Sequence, residues 1–167
     1  MNLLKKVNLK RFFLYLITFL FFETFFAIFT SSTIDLESII NISLFSVILS
    51  SILGIVTGLF KDKVNNIITL IILFIIGILF SLQLVFYNTF QTYFSFSILG
   101  LSDQLSSFMK DVLTAIKDNI FYIIVFFIPF ILYLIFKKKL LFIKNDKCNL
   151  LFYLLILSLA SFLYIGH

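Results

Sequence analysis

The sequence predicts an all-α, polytopic membrane fold of five transmembrane helices and one amphipathic helix lying in the outer interface. Three observations carry that expectation. Of 167 residues, 62% are hydrophobic and 13% are charged, against about a quarter charged in an average soluble domain. The mean hydropathy is +1.17. The apolar residues fall in long runs separated by short polar connections, several of them rich in Lys. A soluble fold of this size could not hide so much apolar surface, which excludes a water-soluble enzyme or nucleic-acid binder. Disorder is excluded as well, because disordered chains are poor in such residues.

A helix needs about 20 apolar residues to cross a hydrocarbon core of about 30 Å. The runs predict spans over residues 12–30, 39–60, 67–87, 120–136 and 150–165. The first follows a basic segment with Lys5, Lys6, Lys10 and Arg11. Its apolar run is too long for a typical signal-peptide core and no small-x-small cleavage site follows, so it reads as a retained signal anchor. Within it, Glu23 lies just past the middle. A charge at that depth costs roughly 2.5–3.5 kcal/mol, so Glu23 is expected to be protonated or to pair with a polar group on another helix. A lipid headgroup or a proton is the functional alternative.

The second span carries Ser46, Ser50, Gly54 and Gly58, a small residue at every fourth position. Lipid offers no hydrophobic drive for helix association, so close backbone approach along such a stripe is the expected means of packing. The third span ends in the run Phe86-Tyr87-Asn88-Thr89-Phe90-Gln91-Thr92-Tyr93-Phe94-Ser95-Phe96. Aromatic bodies can sit among acyl chains there while amides and hydroxyls reach headgroups or sugars, as in an aromatic belt. Tyr87, Asn88, Gln91 and Tyr93 are the candidate lipid- or partner-facing residues of this run, with Lys110 beyond it.

Residues 103–118 form the expected interfacial helix. Leu105, Phe108, Met109, Val112, Leu113 and Ile116 recur at helical spacing, with Gln104, Ser107, Lys110, Asp111, Thr114 and Asp118 opposite. Ser102 or Asp103 can cap its start. Pro129 lies mid-span in the fourth run and predicts a kink. The fifth run is the shortest. Tyr15 and Tyr153 are placed near the inner ends, and Tyr87, Tyr93, Tyr122 and Tyr164 near the outer ends, where a hydroxyl stays wet.

Eleven of the thirteen Lys and Arg residues fall on one side of this arrangement: four before the first span, Lys61 and Lys63, and Lys137, Lys138, Lys139, Lys144 and Lys147. The other side holds only Lys110 and Lys117. The positive-inside rule then sets a cytoplasmic N-terminus and an extracellular C-terminus. The same rule accounts for the net charge of +5 without any nucleic-acid partner. Abundant Phe, Ile, Asn and Lys with scarce Gly, Ala and Pro is the skew of AT-rich codons and points to a low-GC bacterium. Catalytic signatures are lacking: His167 is the one histidine, Cys148 stands alone, and there is no carboxylate pair, phosphate loop or metal motif. No catalytic residue, cofactor-binding residue or metal ligand is assigned.

The run from Phe86 to Ser97 resembles the region after the third span of lipoteichoic acid synthase-type proteins, sulfatase-fold phosphoglycerol transferases of Gram-positive bacteria. The likeness extends through Asp103–Lys117 and the next span, and the layout is similar along the whole chain. The resemblance implies a membrane domain that anchors and positions an extracellular sulfatase-like domain at the outer leaflet of a bacterial cell membrane. In that family the extracellular domain uses a threonine nucleophile and a divalent metal, typically manganese, to move glycerol phosphate from phosphatidylglycerol to a polymer. This chain ends where the linker to that domain is expected, so no cofactor and no catalytic residue are carried over. The implied partners are membrane lipids, phosphatidylglycerol among them, and a sulfatase-like domain. Two other readings fit the same topology: a small transporter or substrate-binding membrane subunit, and a non-catalytic scaffold of the cell envelope.

Overall fold

The structure is a computed structural model that describes residues 6–30, 34–58, 60, 62–95, 105–142 and 147–165, with side chains over 11–30, 34–57, 60, 63–95, 112–137 and 154–165. The elements are β1 (Lys6–Asn8), α1 (Leu9–Thr30), α2 (Leu36–Gly58), α3 (Asp62–Phe90), α4 (Leu105–Asp118), α5 (Ile120–Phe126), α6 (Ile128–Phe142), β2 (Lys147–Asn149) and α7 (Leu150–Ile165). The protein is a helical bundle, and its exposed surface is apolar in the manner of a lipid-facing wall: Ile17, Ile71, Phe121, Ile135 and Phe162 all point outward.

Among the described residues, four helical stretches are long and apolar enough to cross a bilayer: Arg11–Thr30, Leu36–Thr57, Lys63–Phe90 and Ile120–Lys137. They match the first four expected spans, with α3 overrunning its expected limits at both ends. At 29 residues it is about 43 Å long at 1.5 Å per residue, more than the hydrocarbon core requires. The fifth expected span falls on α7, whose 16 residues reach only about 24 Å.

The fourth span is one apolar stretch but two helices. Pro129 has no N–H and cannot continue the hydrogen-bond ladder in a helix interior, but it is tolerated in a first turn. The chain meets both conditions by ending α5 at Phe126 and restarting as α6 at Ile128. Between them the Phe127 N–H donates to the carbonyls of Ile123 (3.3 Å) and Ile124 (3.1 Å), a tightened last turn. The backbone of α3 comes close at this break. A Cβ on Gly77 would lie 3.2 Å from the Phe126 carbonyl oxygen, so the absence of a side chain there lets the two elements meet.

Helix α2 packs against both α1 and α7, and Ser46, Ser50, Ser51, Gly54 and Thr57 are buried along it. Most of their hydroxyls turn back on their own helix, although the Ser46 Oγ has no partner among the described residues and Thr57 also interacts with the Tyr15 hydroxyl of α1. Ser50 donates to the Ser46 carbonyl, Ser51 to Val47 and Thr57 to Leu53, each one turn back. Thr18, Thr30 and Ser81 on α1 and α3 do the same. These hydroxyls are thus largely hidden within their own helices and leave small, mostly apolar surfaces for packing; Thr69 on α3 is an exception that bonds across to α1.

The two short strands pair antiparallel, with Lys6 opposite Asn149, Val7 opposite Cys148 and Asn8 opposite Lys147. One precedes α1 and the other precedes α7, so both helices start on the same side of the bundle. That side is called the β end, and the opposite one the α4 end.

Candidate functional site

Among the described residues, two regions of the bundle carry organised polar groups. The α4 end is built on the exit from α3. The chain stops being helical at Gln91, whose φ of 53° is the left-handed conformation that ends a helix. Its N–H donates to the Tyr87 carbonyl (2.9 Å). The chain then turns back and is clamped by Gln83. The Gln83 Oε1 accepts from the Phe94 N–H (2.9 Å) and its Nε2 donates to the Phe94 carbonyl (3.1 Å). One side-chain amide thereby satisfies both backbone groups of a residue eleven positions later, as a neighbouring strand would.

Rings seal the fold-back. Phe94 meets Phe86 edge-on at 4.9 Å and Tyr93 lies 5.3 Å from Tyr87 and 6.1 Å from Phe26. Asn88 donates from Nδ2 to the Asn119 Oδ1 (2.9 Å). Asn119 in turn donates its side-chain amide to the Ala115 carbonyl (2.8 Å), which fixes the corner between α4 and α5. Of the residues singled out in the sequence, Tyr87 and Asn88 are partly buried and engaged internally, whereas Gln91 and Tyr93 are exposed. On α4, Ala115 is buried while Leu113 and Ile116 are exposed. Lys110 lies on α4, but its side chain is outside the described residues, as are residues 96–104.

The β end is different in kind. Arg11 is only 7% exposed. Its Nη1 donates to Thr69 Oγ1 and its Nη2 to Asn66 Oδ1, both at 3.0 Å. Tyr15, one turn along α1, donates to the same Thr69 oxygen (3.0 Å), and Tyr133 of α6 donates to the same Asn66 oxygen (3.2 Å). Two acceptors on α3 therefore tie α1 and α6 together. Every partner is neutral, and among the described residues no Asp or Glu pairs with the guanidinium. The Arg11 Nε is buried and bonded to nothing, as is the Oδ1 of Asn65. The Nδ2 of Asn65 is occupied, closing the turn into α3 on the Phe60 carbonyl (3.1 Å).

The remaining candidates are dispersed. Glu23 is half-buried on α1; of the two states expected of it, protonation or pairing with a polar group on another helix, the pairing is not formed among the described residues. Ser46, Ser50 and Gly54 are buried on α2, while the surroundings of Gly58 lie outside the described residues. Cys148 and Asn149 sit in β2, with side chains likewise outside them.

Sequence reasoning missed the β-end cluster. Tyr15 was expected at the headgroup level with a wet hydroxyl, yet it is fully buried and bonded inside the bundle. The usable signal was spacing: Arg11, Tyr15, Thr18 and Phe22 share one helical face, and Asn66, Thr69 and Leu73 share another. Compared with known protein families, curated proteins and solved structures, the chain matches none.

Proposed function

We propose that this chain is a five-span membrane domain that anchors and orients a catalytic domain at the outer leaflet of a bacterial cell membrane. In this reading α7 is the fifth crossing, the β end is cytoplasmic and the C-terminus extracellular. The catalytic partner is of the sulfatase-like, glycerophosphate-transferring kind that the resemblance around residues 86–97 implies. A divalent metal, if one is used, belongs to that partner rather than to this chain.

The observation that carries the reading is the Gln83 clamp. It folds residues 91–95 back against α3 and leaves Gln91, Thr92 and Tyr93 exposed on a rigid support. A free loop would lose more conformational entropy on docking a partner. The orientation has separate support in the Lys and Arg bias. The pairing of β1 with β2 accords with an odd number of crossings, since it returns the chain to its starting side before α7.

Photo-crosslinking tests the proposal. A photoreactive residue at Gln91 or Thr92, with the sulfatase-like domain of the same cell co-expressed, should give a defined adduct, and the same residue at Ile17 on the lipid-facing wall should not. No adduct from either position, in a protein whose insertion has been verified by reporter fusions, removes the anchoring role.

A further inference from the structure

The β end contains a charge that no described side chain answers. A guanidinium offers five N–H groups. Arg11 uses two of them on neutral oxygens, and its buried Nε has no partner. Taking an ion out of water costs several kcal/mol unless an opposite charge is near. Among the described residues the neighbours supply dipoles and no such charge. Tyr15 and Tyr133 donate to the very oxygens that Arg11 uses, so the surrounding set is already saturated with donors and attracts an acceptor.

Depth and topology indicate what that acceptor is. The apolar stretch Arg11–Thr30 is 20 residues, about 30 Å of helix, which equals the hydrocarbon thickness. Arg11 therefore stands at the edge of the core, at the level of the lipid phosphates. The first strand of the antiparallel ribbon ends three residues before it in sequence. Its register puts positions 6, 8, 147 and 149 on one ribbon face and positions 7 and 148 on the other. Positions 6 and 147, 141 residues apart in the chain, thereby share one face of the ribbon at the end of the bundle where α1 begins.

We propose that the β end binds the phosphate of an anionic membrane lipid, with the Arg11 guanidinium as the central charge and the ribbon face that carries positions 6 and 147 adding positive charge at the same end of the bundle. Arg suits this task because its planar fork matches a phosphate's oxygens. The site lies at the opposite end from the partner-facing surface proposed above and is independent of it.

Thermal unfolding of the full chain in a neutral detergent provides the test, with dioleoylphosphatidylglycerol, dioleoylphosphatidylcholine or inorganic phosphate added. Phosphatidylglycerol should raise the midpoint on the order of 5 °C at saturation, and the other two should not. Arg11→Gln should lose most of that rise. Should that variant fail to fold, the paired change Lys6→Gln and Lys147→Gln should move the lipid titration about tenfold to higher concentration. Asp62→Asn, one turn before Asn66, checks for a counter-charge from the protein, and its response should remain at least that of the wild type. Equal responses to the two lipids, a matching rise with inorganic phosphate, or an unchanged response in both basic-residue variants overturns the proposal. So does a wild type that ignores phosphatidylglycerol while Asp62→Asn is destabilised.

Discussion

The two ends of this bundle are joined by the same helices and held by opposite chemistries. Towards the α4 end, α1, α3 and α5 meet through rings. Phe126 is fully buried among Phe22 at 5.6 Å, Phe25 at 5.2 Å and Phe80 at 5.8 Å, with Leu84 closing the cluster. Towards the β end, α1, α3 and α6 meet through Arg11, Tyr15, Asn66, Thr69 and Tyr133. The difference teaches how a chain without hydrophobic drive inside lipid obtains a specific arrangement. Rings give contact area and edge-to-face preference but tolerate small rotations. Hydrogen bonds to two fixed oxygens do not, because an unmatched donor in hydrocarbon has no water to turn to. The aromatic half supplies attraction and the polar half sets rotation and register.

That division can be broken most severely at Phe126. Phe126→Ala leaves a cavity at the meeting of three helices and should cost about 3 kcal/mol, at the lower limit for buried Phe truncation because lipid supplies no transfer term. Thermal unfolding in detergent reads this directly, and a loss under about 1 kcal/mol would mean that the cluster collapses to fill the space. The polar half is best tested at Thr69. Thr69→Val removes the acceptor shared by Arg11 and Tyr15 and should cost about 2 kcal/mol. A double-mutant cycle with Tyr15→Phe should show coupling, since the second change then removes a hydroxyl that has already lost its Thr69 acceptor. Additive effects would separate the two residues.

Gly77 sits where the halves join. Gly77→Ala should cost about 1–2 kcal/mol through overpacking against the Phe126 carbonyl. A neutral or stabilising result would show that the break at Phe127 yields to the added methyl.

The smallest effect lies outside both halves. The Ser38 hydroxyl and its backbone N–H, the latter 2.8 Å from Asp35 Oδ1, hold the Asp35 carboxyl below the usual carboxylate range. This cap therefore adds stability at any pH above the ordinary Asp value and loses it as the pH falls through the lowered one. Asp35→Asn should flatten that acid limb slightly in a pH series of unfolding midpoints and change little at neutral pH.

The spans could be read from hydropathy because a helix in lipid must be apolar over its whole length, and that property is local. The interruption by Pro129 was local too, since a missing N–H acts within one turn. The capping of α2 by Asp35 is of the same kind, yet reading the residues for span length passed over it. What periodicity could not reveal is which oxygen meets which donor. Arg11 and Thr69 are 58 positions apart and Asn66 and Tyr133 are 67 apart, and no pattern within a window links them. Gln83 looked like a lone polar residue near a span end because its partner is the backbone of Phe94, which carries no mark in the sequence. Most of the hydroxyls were equally illegible in purpose, since bonding one turn back on their own helix looks in sequence the same as reaching across to another.

The β1–β2 ribbon also sets a schedule. Residues 147–149 leave the ribosome long after Lys6 has reached the membrane surface, and α7 must follow them before α2 has its second neighbour. The first helices can thread and gather their rings while translation continues, but this end of the molecule stays open until β2 and α7 are in place. Loop-closure entropy over some 140 residues falls on that final step, so a truncation before β2 should yield a protein that inserts normally and never latches.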